Sequence, residues 1–114
     1  MRAIVAVGML VLGAMPAVAA TPTTTVASWY GARWTGRLTA SGERFDHRQL
    51  TAASRHHPMG TMLLVTHGDR HVVVRVNDRG PFARNRGLDL SEAAARELGV
   101  RDQGVVRVAY QVMR

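Results

Sequence analysis

HVVVRVNDRGPFARNRGLDL, residues 71–90, is the stretch whose reading decides how this chain folds. Val72, Val73, Val74 and Val76 are β-branched and favour an extended strand, and the Gly80-Pro81 step ends it in a sharp turn. The strand delivers Asn77, Asp78 and Arg79 to that turn, so a carboxylate stands at the mouth of a buried element with Arg75 and Arg79 on either side. A rigid scaffold holds catalytic or binding groups in such places. An aspartate there also closes turns through a side-chain to backbone hydrogen bond.

Toward the C-terminus, residues 91–98 (SEAAAREL) read as the helix of the chain. Ser91 is a suitable N-cap, Glu92 favours the positive helix start and Gly99 stops it. Residues 105–112 alternate loosely and read as a closing strand. Toward the N-terminus, His67-Gly68-Asp69-Arg70 is a tight hairpin that joins a strand at Thr61–Thr66 to the valine strand. Before it come a turn at Pro58-Met59-Gly60 and a short apolar piece at Leu50–Ala53. Residues 35–43 (TGRLTASGE) form a loop, residues 26–31 (VASWYG) a first strand, and Thr21–Thr25 a short flexible lead. Five or six short strands with one helix fit a small closed barrel better than a layered α/β fold. Residues 26–114 are expected to form this one domain.

Residues 1–20 read as a secretory signal peptide. Met1-Arg2 gives a positive start, Ala3–Met15 is almost wholly apolar, and Ala17-Val18-Ala19 precedes cleavage after Ala19 or Ala20. The apolar part is shorter than the roughly 20 residues of a bilayer-spanning helix, which argues against a membrane anchor. The chain has no cysteine. Disulfides and a cysteine-linked lipid are therefore not expected, and the product is expected free in the periplasm or outside the cell, as a monomer. All 15 basic residues are arginine, against 8 acidic ones. A basic exported domain suits an anionic cell-wall polymer rather than nucleic acid.

Six motifs stand in a telling order: SWYG (28–31), GRLTASGERFD (36–46), LTAA (50–53), PMGT (58–61), VRVNDRGPF (74–82) and LDLSEAAARELG (88–99). In order and spacing they resemble rare lipoprotein A-like domains, over nearly all of residues 27–112. The resemblance implies a mainly β fold, a six-stranded double-psi β-barrel with one short α-helix, related in architecture to expansins. It implies an endolytic lytic transglycosylase acting on peptidoglycan glycan strands stripped of stem peptides, with no cofactor and no metal. Asp78 matches the carboxylate expected to act as acid and base, and Glu43 and Asp46 match a second acidic pair facing the same groove. Such chemistry needs a carboxyl that keeps its proton near neutral pH, protonates the leaving oxygen, and lets the muramic acid C6 hydroxyl attack C1. A neighbouring carboxylate would raise the pKa of that carboxyl, and a neighbouring arginine would lower it.

One departure from the family stands out. The position after the TAA step, usually histidine, is Ser54, followed by Arg55, His56 and His57. Either His56 or His57 supplies the missing imidazole, or the groove lacks a polar partner and its activity is reduced. Adjacent histidines on a strand face opposite sides, so a shared metal ion is not expected there. Among the aromatics, Tyr30 and Trp34 are expected in a sugar groove, and Trp29, Phe45 and Phe82 in the core. Arg75 and Arg79 are candidates to hold the lactyl carboxylate of muramic acid, or to pair with Asp78 or Asp89. The expected substrate-binding set is thus Tyr30, Trp34, Arg75, Arg79, Ser54 and His56.

Overall fold

A computed structural model describes residues 21–113. The proposed signal peptide lies outside these residues. Six strands, β1 (Thr23–Tyr30), β2 (Thr51–Ala53), β3 (Met62–His67), β4 (Arg70–Asp78), β5 (Leu88–Ser91) and β6 (Val106–Val112), close into a barrel in the order β1-β5-β2-β4-β3-β6. One α-helix, α1 (Glu92–Leu98), packs across β4 and β5. Two strand pairs are parallel, β1 with β5 and β2 with β4, and the other four are antiparallel. This is the six-stranded double-psi β-barrel that the motifs lead one to expect.

The valine strand supplies the core. Val72, Val74 and Val76 alternate inward and are buried with Leu63 and Val65 of β3 and Leu88 and Leu90 of β5. Alternate residues of a strand point to opposite faces, so this inward set places Asn77 and Asp78 near the barrel rim. Each fully buried Leu or Val contributes about 1.5–3 kcal/mol relative to exposure. Helix α1 closes one side with Ala94, Ala95 and Leu98, all buried. The Ser91 hydroxyl accepts from the Ala94 N–H at 3.2 Å, and Gly99 ends the helix at φ 77°, which favours glycine.

One expectation needs correction, and one element was not expected. Strand β1 begins at Thr23, so Thr23–Thr25 are not a flexible lead: they pair with Tyr110, Ala109 and Val108 of β6. Threonine is β-branched, and an open strand edge was available for it. Leu88–Ser91, where no strand is read from the sequence, forms a strand of its own, β5, between β1 and β2.

The register around Ala53 is irregular. Ala52 pairs with Val76, but the next residue, Ala53, pairs with Asp78, so Asn77 is an extra residue on β4. Such a bulge re-aims the side chain that follows it. Here it sets Asp78 beside Ala53, while the antiparallel partner of Ala53 on the other side is Asp89.

Candidate active site

The bulge and the β5 pairing bring two carboxylates to one surface. Leu88 and Leu90 point into the core, so Asp89 between them faces the other way, onto the same outer face as Ser28 and Tyr30 of β1. Asp78, Ala53 and Asp89 line a cleft of about 610 Å³ on that face, which also takes in Tyr30 and Trp34. A cleft of this size accommodates a few sugar units or a similar ligand.

Asp78 is fixed by backbone. Its Oδ1 accepts from the Ala40 N–H at 3.0 Å and the Arg79 N–H at 2.9 Å, whereas Oδ2 has no hydrogen-bond partner among the described residues. The aspartate closes its turn through backbone hydrogen bonds, as such residues do, and it also lines the cleft. The Asp89 Oδ1 accepts from the Ser28 hydroxyl at 2.9 Å, across the β1–β5 pair. Burial pushes the Asp89 carboxyl above the ordinary aspartate range. The Ser28 hydrogen bond and the Arg86 charge oppose this, and the charge of Asp78 adds to it. The two carboxyls are thus electrostatically linked.

Tyr30 lines the same cleft. Its ring stacks on Phe45 at 4.3 Å, and its buried hydroxyl has no hydrogen-bond partner among the described residues. Burial raises the phenol pKa further, with the charges of Asp78 and Asp89 adding to it. Trp34 follows in a short 3₁₀ turn (Ala32–Trp34) and lies under two guanidinium groups, Arg33 at 5.0 Å and Arg37 at 4.8 Å. Tyr30 and Trp34 thus both line the cleft. Phe45 is buried at 2 % exposure, and Trp29 packs on the core with its indole N–H donated to the Arg101 carbonyl. Phe82 is the correction among the aromatics: 79 % exposed, it stands on the cleft wall rather than in the core. The Gly80-Pro81 turn carries it past the end of β4, beyond the reach of the barrel interior.

The expected second acidic pair does not face the cleft. Asp46 turns away and binds Arg48, accepting from its backbone N–H at 2.9 Å and from its guanidinium at 3.0 and 3.1 Å. Glu43 holds Arg75 at 2.7 and 3.2 Å and accepts from the Asn77 amide at 3.1 Å. The Arg75 hydrogen bond leads in pulling the Glu43 carboxyl below its usual range. This ion pair anchors the loop that carries the Ala40 N–H to Asp78. Glu43 thus supports the site from behind.

The arginines and histidines also depart from expectation. Arg75 is committed to Glu43, and the Arg79 Nη1 donates to the Ser54 and His57 carbonyls at 3.0 and 2.8 Å. Neither makes an ion pair with Asp78 or Asp89 among the described residues. Arg79 still lines the cleft, and Arg75 does not. Ser54 is buried and organises its own turn: its hydroxyl accepts from the His56 and His57 N–H groups and bonds the His57 Nδ1 at 3.1 Å. Burial, with the charges of His56 and Arg79, lowers the His57 pKa, and its ring packs edge-on against Tyr110. His56 is exposed. None of Ser54, His56 and His57 lines the cleft, so no imidazole there replaces the family histidine. Arg55 instead reaches across to the Pro81 and Arg86 carbonyls and ties down the loop that bears Phe82.

Asp89 and Ser28 are the site residues that sequence reasoning missed. The Leu-Asp-Leu alternation was the available signal, because it marks a half-buried strand with one polar face. Among the described residues, no three His, Asp or Glu side chains converge as metal ligands.

The chain resembles known proteins along most of its length. Residues 23–110 match the family model described as "Lytic transglycolase". The Synechocystis sp. protein named "Probable endolytic peptidoglycan transglycosylase RlpA" is 50 % identical over 91 residues, covering 78 % of this chain and 28 % of the relative. The Neisseria meningitidis serogroup A "Endolytic peptidoglycan transglycosylase RlpA" is 47 % identical over 87 residues, covering 75 % of this chain and 36 % of the relative. The chain thus spans well under half the length of these relatives. Among solved structures, the Streptomyces papain inhibitor superposes with a TM-score of 0.69 at 25 % identity, over 82 % of this chain and 96 % of that one. The apo form of a Clavibacter michiganensis expansin gives 0.65 at 25 % identity, over 82 % of this chain and 51 % of that one. With the barrel, the cleft and the motifs in register, the chain belongs to the lytic transglycolase family of rare lipoprotein A-like double-psi β-barrels.

Proposed function

We propose that the protein is an exported endolytic peptidoglycan transglycosylase that cuts between N-acetylmuramic acid and N-acetylglucosamine in peptide-free glycan strands, leaving 1,6-anhydro ends. The observation that carries this reading is the pair Asp78 and Asp89 on either side of Ala53, in a cleft of glycan size. Asp89, its pKa raised by burial, donates its proton to the leaving glycosidic oxygen as the bond to C1 breaks. The C6 hydroxyl of the same muramic residue attacks C1, and its proton passes to Asp78. One proton leaves Asp89 and one arrives at Asp78, and exchange with solvent resets the pair. No water enters the products and no cofactor is required.

The test is a digest of peptide-free glycan analysed by mass spectrometry for 1,6-anhydromuramic ends. Ends formed by the wild-type protein and lost in both Asp78→Asn and Asp89→Asn support the assignment. Full product formation by either variant sinks it.

The absence of an imidazole from the cleft favours a second reading, a wall-binding domain in the manner of expansins. A folded protein that pellets with the glycan but yields no anhydro ends would select that reading.

A further inference from the structure

The cleft contains an exposed guanidinium group with no hydrogen-bond or ion-pair partner among the described residues. Arg79 is bound to two carbonyls, and Arg75 lies behind the site on Glu43. Arg86 also lines the cleft without a side-chain hydrogen bond or ion pair among the described residues, but its Nε is buried and its charge acts on Asp89. Arg37 differs in being exposed. Its side chain makes no hydrogen bond and no ion pair among the described residues, yet it lines the same cleft as Asp78 and Asp89.

Its position is fixed by other means. The Arg37 N–H donates to the Trp34 carbonyl at 3.0 Å, and the Arg37 carbonyl accepts from the Phe45 N–H at 2.8 Å. The guanidinium lies 4.8 Å from the centre of the Trp34 ring, which holds a flexible side chain against a flat surface. Arg33 lies over the same ring at 5.0 Å, with no carboxylate within ion-pair distance of either. Two cations on one indole repel each other, and nothing among the described residues compensates that charge. An anion entering the cleft would compensate it, and the planar guanidinium fork matches a carboxylate through two hydrogen bonds.

We propose that Arg37, seated on Trp34, is the specificity residue that recognises the lactyl carboxylate of muramic acid. The inference rests on the peptidoglycan reading above. It assigns to Arg37 the role that the sequence suggested for Arg75 and Arg79.

The test is calorimetric binding of a peptide-free tetrasaccharide of alternating N-acetylglucosamine and N-acetylmuramic acid. Its counterpart, with both carboxyls reduced to primary alcohols, is titrated alongside. An Asp78→Asn background, which lacks the proton-accepting carboxylate, keeps the oligosaccharide intact, and the asparagine oxygen can still accept from the Ala40 and Arg79 N–H groups. The Arg37 protein should bind the acidic form about tenfold tighter than the reduced form, as a charge-assisted hydrogen bond to a carboxylate implies. Arg37→Gln should lose that preference, and Arg37→Lys should keep part of it. Equal binding of the two sugars by the Arg37 protein overturns the proposal, as does an undiminished preference in Arg37→Gln. The thermal midpoint of each variant checks folding at this exposed position. Anhydro ends formed by the wild-type protein are scored separately, so failure of cleavage and failure of carboxylate recognition are told apart.

Discussion

Asp78 and Asp89 are the two neighbours of Ala53, one on each strand that pairs with β2. Two strand spacings separate their backbones by roughly 10 Å, and both side chains enter the same cleft. A small residue between them leaves room for a sugar ring to approach both. The two carboxyls differ in their surroundings: backbone N–H groups hold Asp78, and a serine hydroxyl holds Asp89. Environments that differ in this way let one carboxyl act as acid and the other as base.

Asp78→Asn should lower anhydro-end formation by about 10²-fold or more, the usual worth of a positioned acid or base. Its circular dichroism should match wild type, since the amide oxygen keeps both backbone hydrogen bonds. Asp46→Asn should leave product formation unchanged, because Asp46 binds Arg48 away from the cleft. Mass spectrometry of the digests checks both.

The Asp89 titration should respond with opposite signs to its two neighbours. Removing the Asp78 charge in Asp78→Asn takes away a raising influence, so the Asp89 midpoint should fall. Removing the hydroxyl in Ser28→Ala takes away a lowering influence, so it should rise. Carbon-detected NMR of the carboxyl reads each midpoint against the ordinary aspartate value of 3.8.

Glu43→Gln tests whether that residue supports the site or reacts in it. It should reduce product formation less than tenfold, and it should lower the thermal midpoint only slightly, since a half-exposed ion pair is worth about 0–1 kcal/mol. Loss of product as complete as in Asp78→Asn would return Glu43 to the reacting groups. The mechanism expected for the partial loss is a looser loop, and hence a less firmly held Asp78.

Phe82 and Phe45 should behave oppositely. Phe82→Ala, at a position 79 % exposed, should leave stability within about 0.5 kcal/mol while weakening glycan binding. Phe45→Ala empties a buried site and should cost about 3–5 kcal/mol. Thermal unfolding and glycan co-sedimentation, measured on both variants, separate the two roles.

Glu92 links α1 to the rest of the barrel. The Arg101 hydrogen bond at 2.7 Å, with His47 and Arg96 each at 3.1 Å, brings its carboxyl down to about 2 from 4.5. A carboxyl lowered by folding stabilises the protein above its unfolded value and loses that contribution as pH falls through the folded one. The thermal midpoint of Glu92→Gln should therefore lie below wild type at pH 7. The difference should shrink as pH falls from 4.5 toward 2.

The sequence by itself determined the local pieces. Four β-branched residues made β4, Ser91 and Gly99 bounded α1, Gly68-Asp69 made the β3–β4 hairpin, and the ordered motifs marked the barrel. These signals are local, because propensity, caps and turns act over a few residues. It also placed Asp78 at the strand end, and Tyr30 and Trp34 in the groove. Which carboxylate joins Asp78 was decided by tertiary structure. Asp89 arrives only because β2 lies between β4 and β5 and because the Asn77 bulge shifts the register by one residue. Glu43 left the groove because it meets Arg75, 32 positions away in the chain, on a neighbouring surface. Long-range register and side-chain pairing depend on the closed barrel as a whole, and a one-residue shift in register turns a side chain from one face to the other.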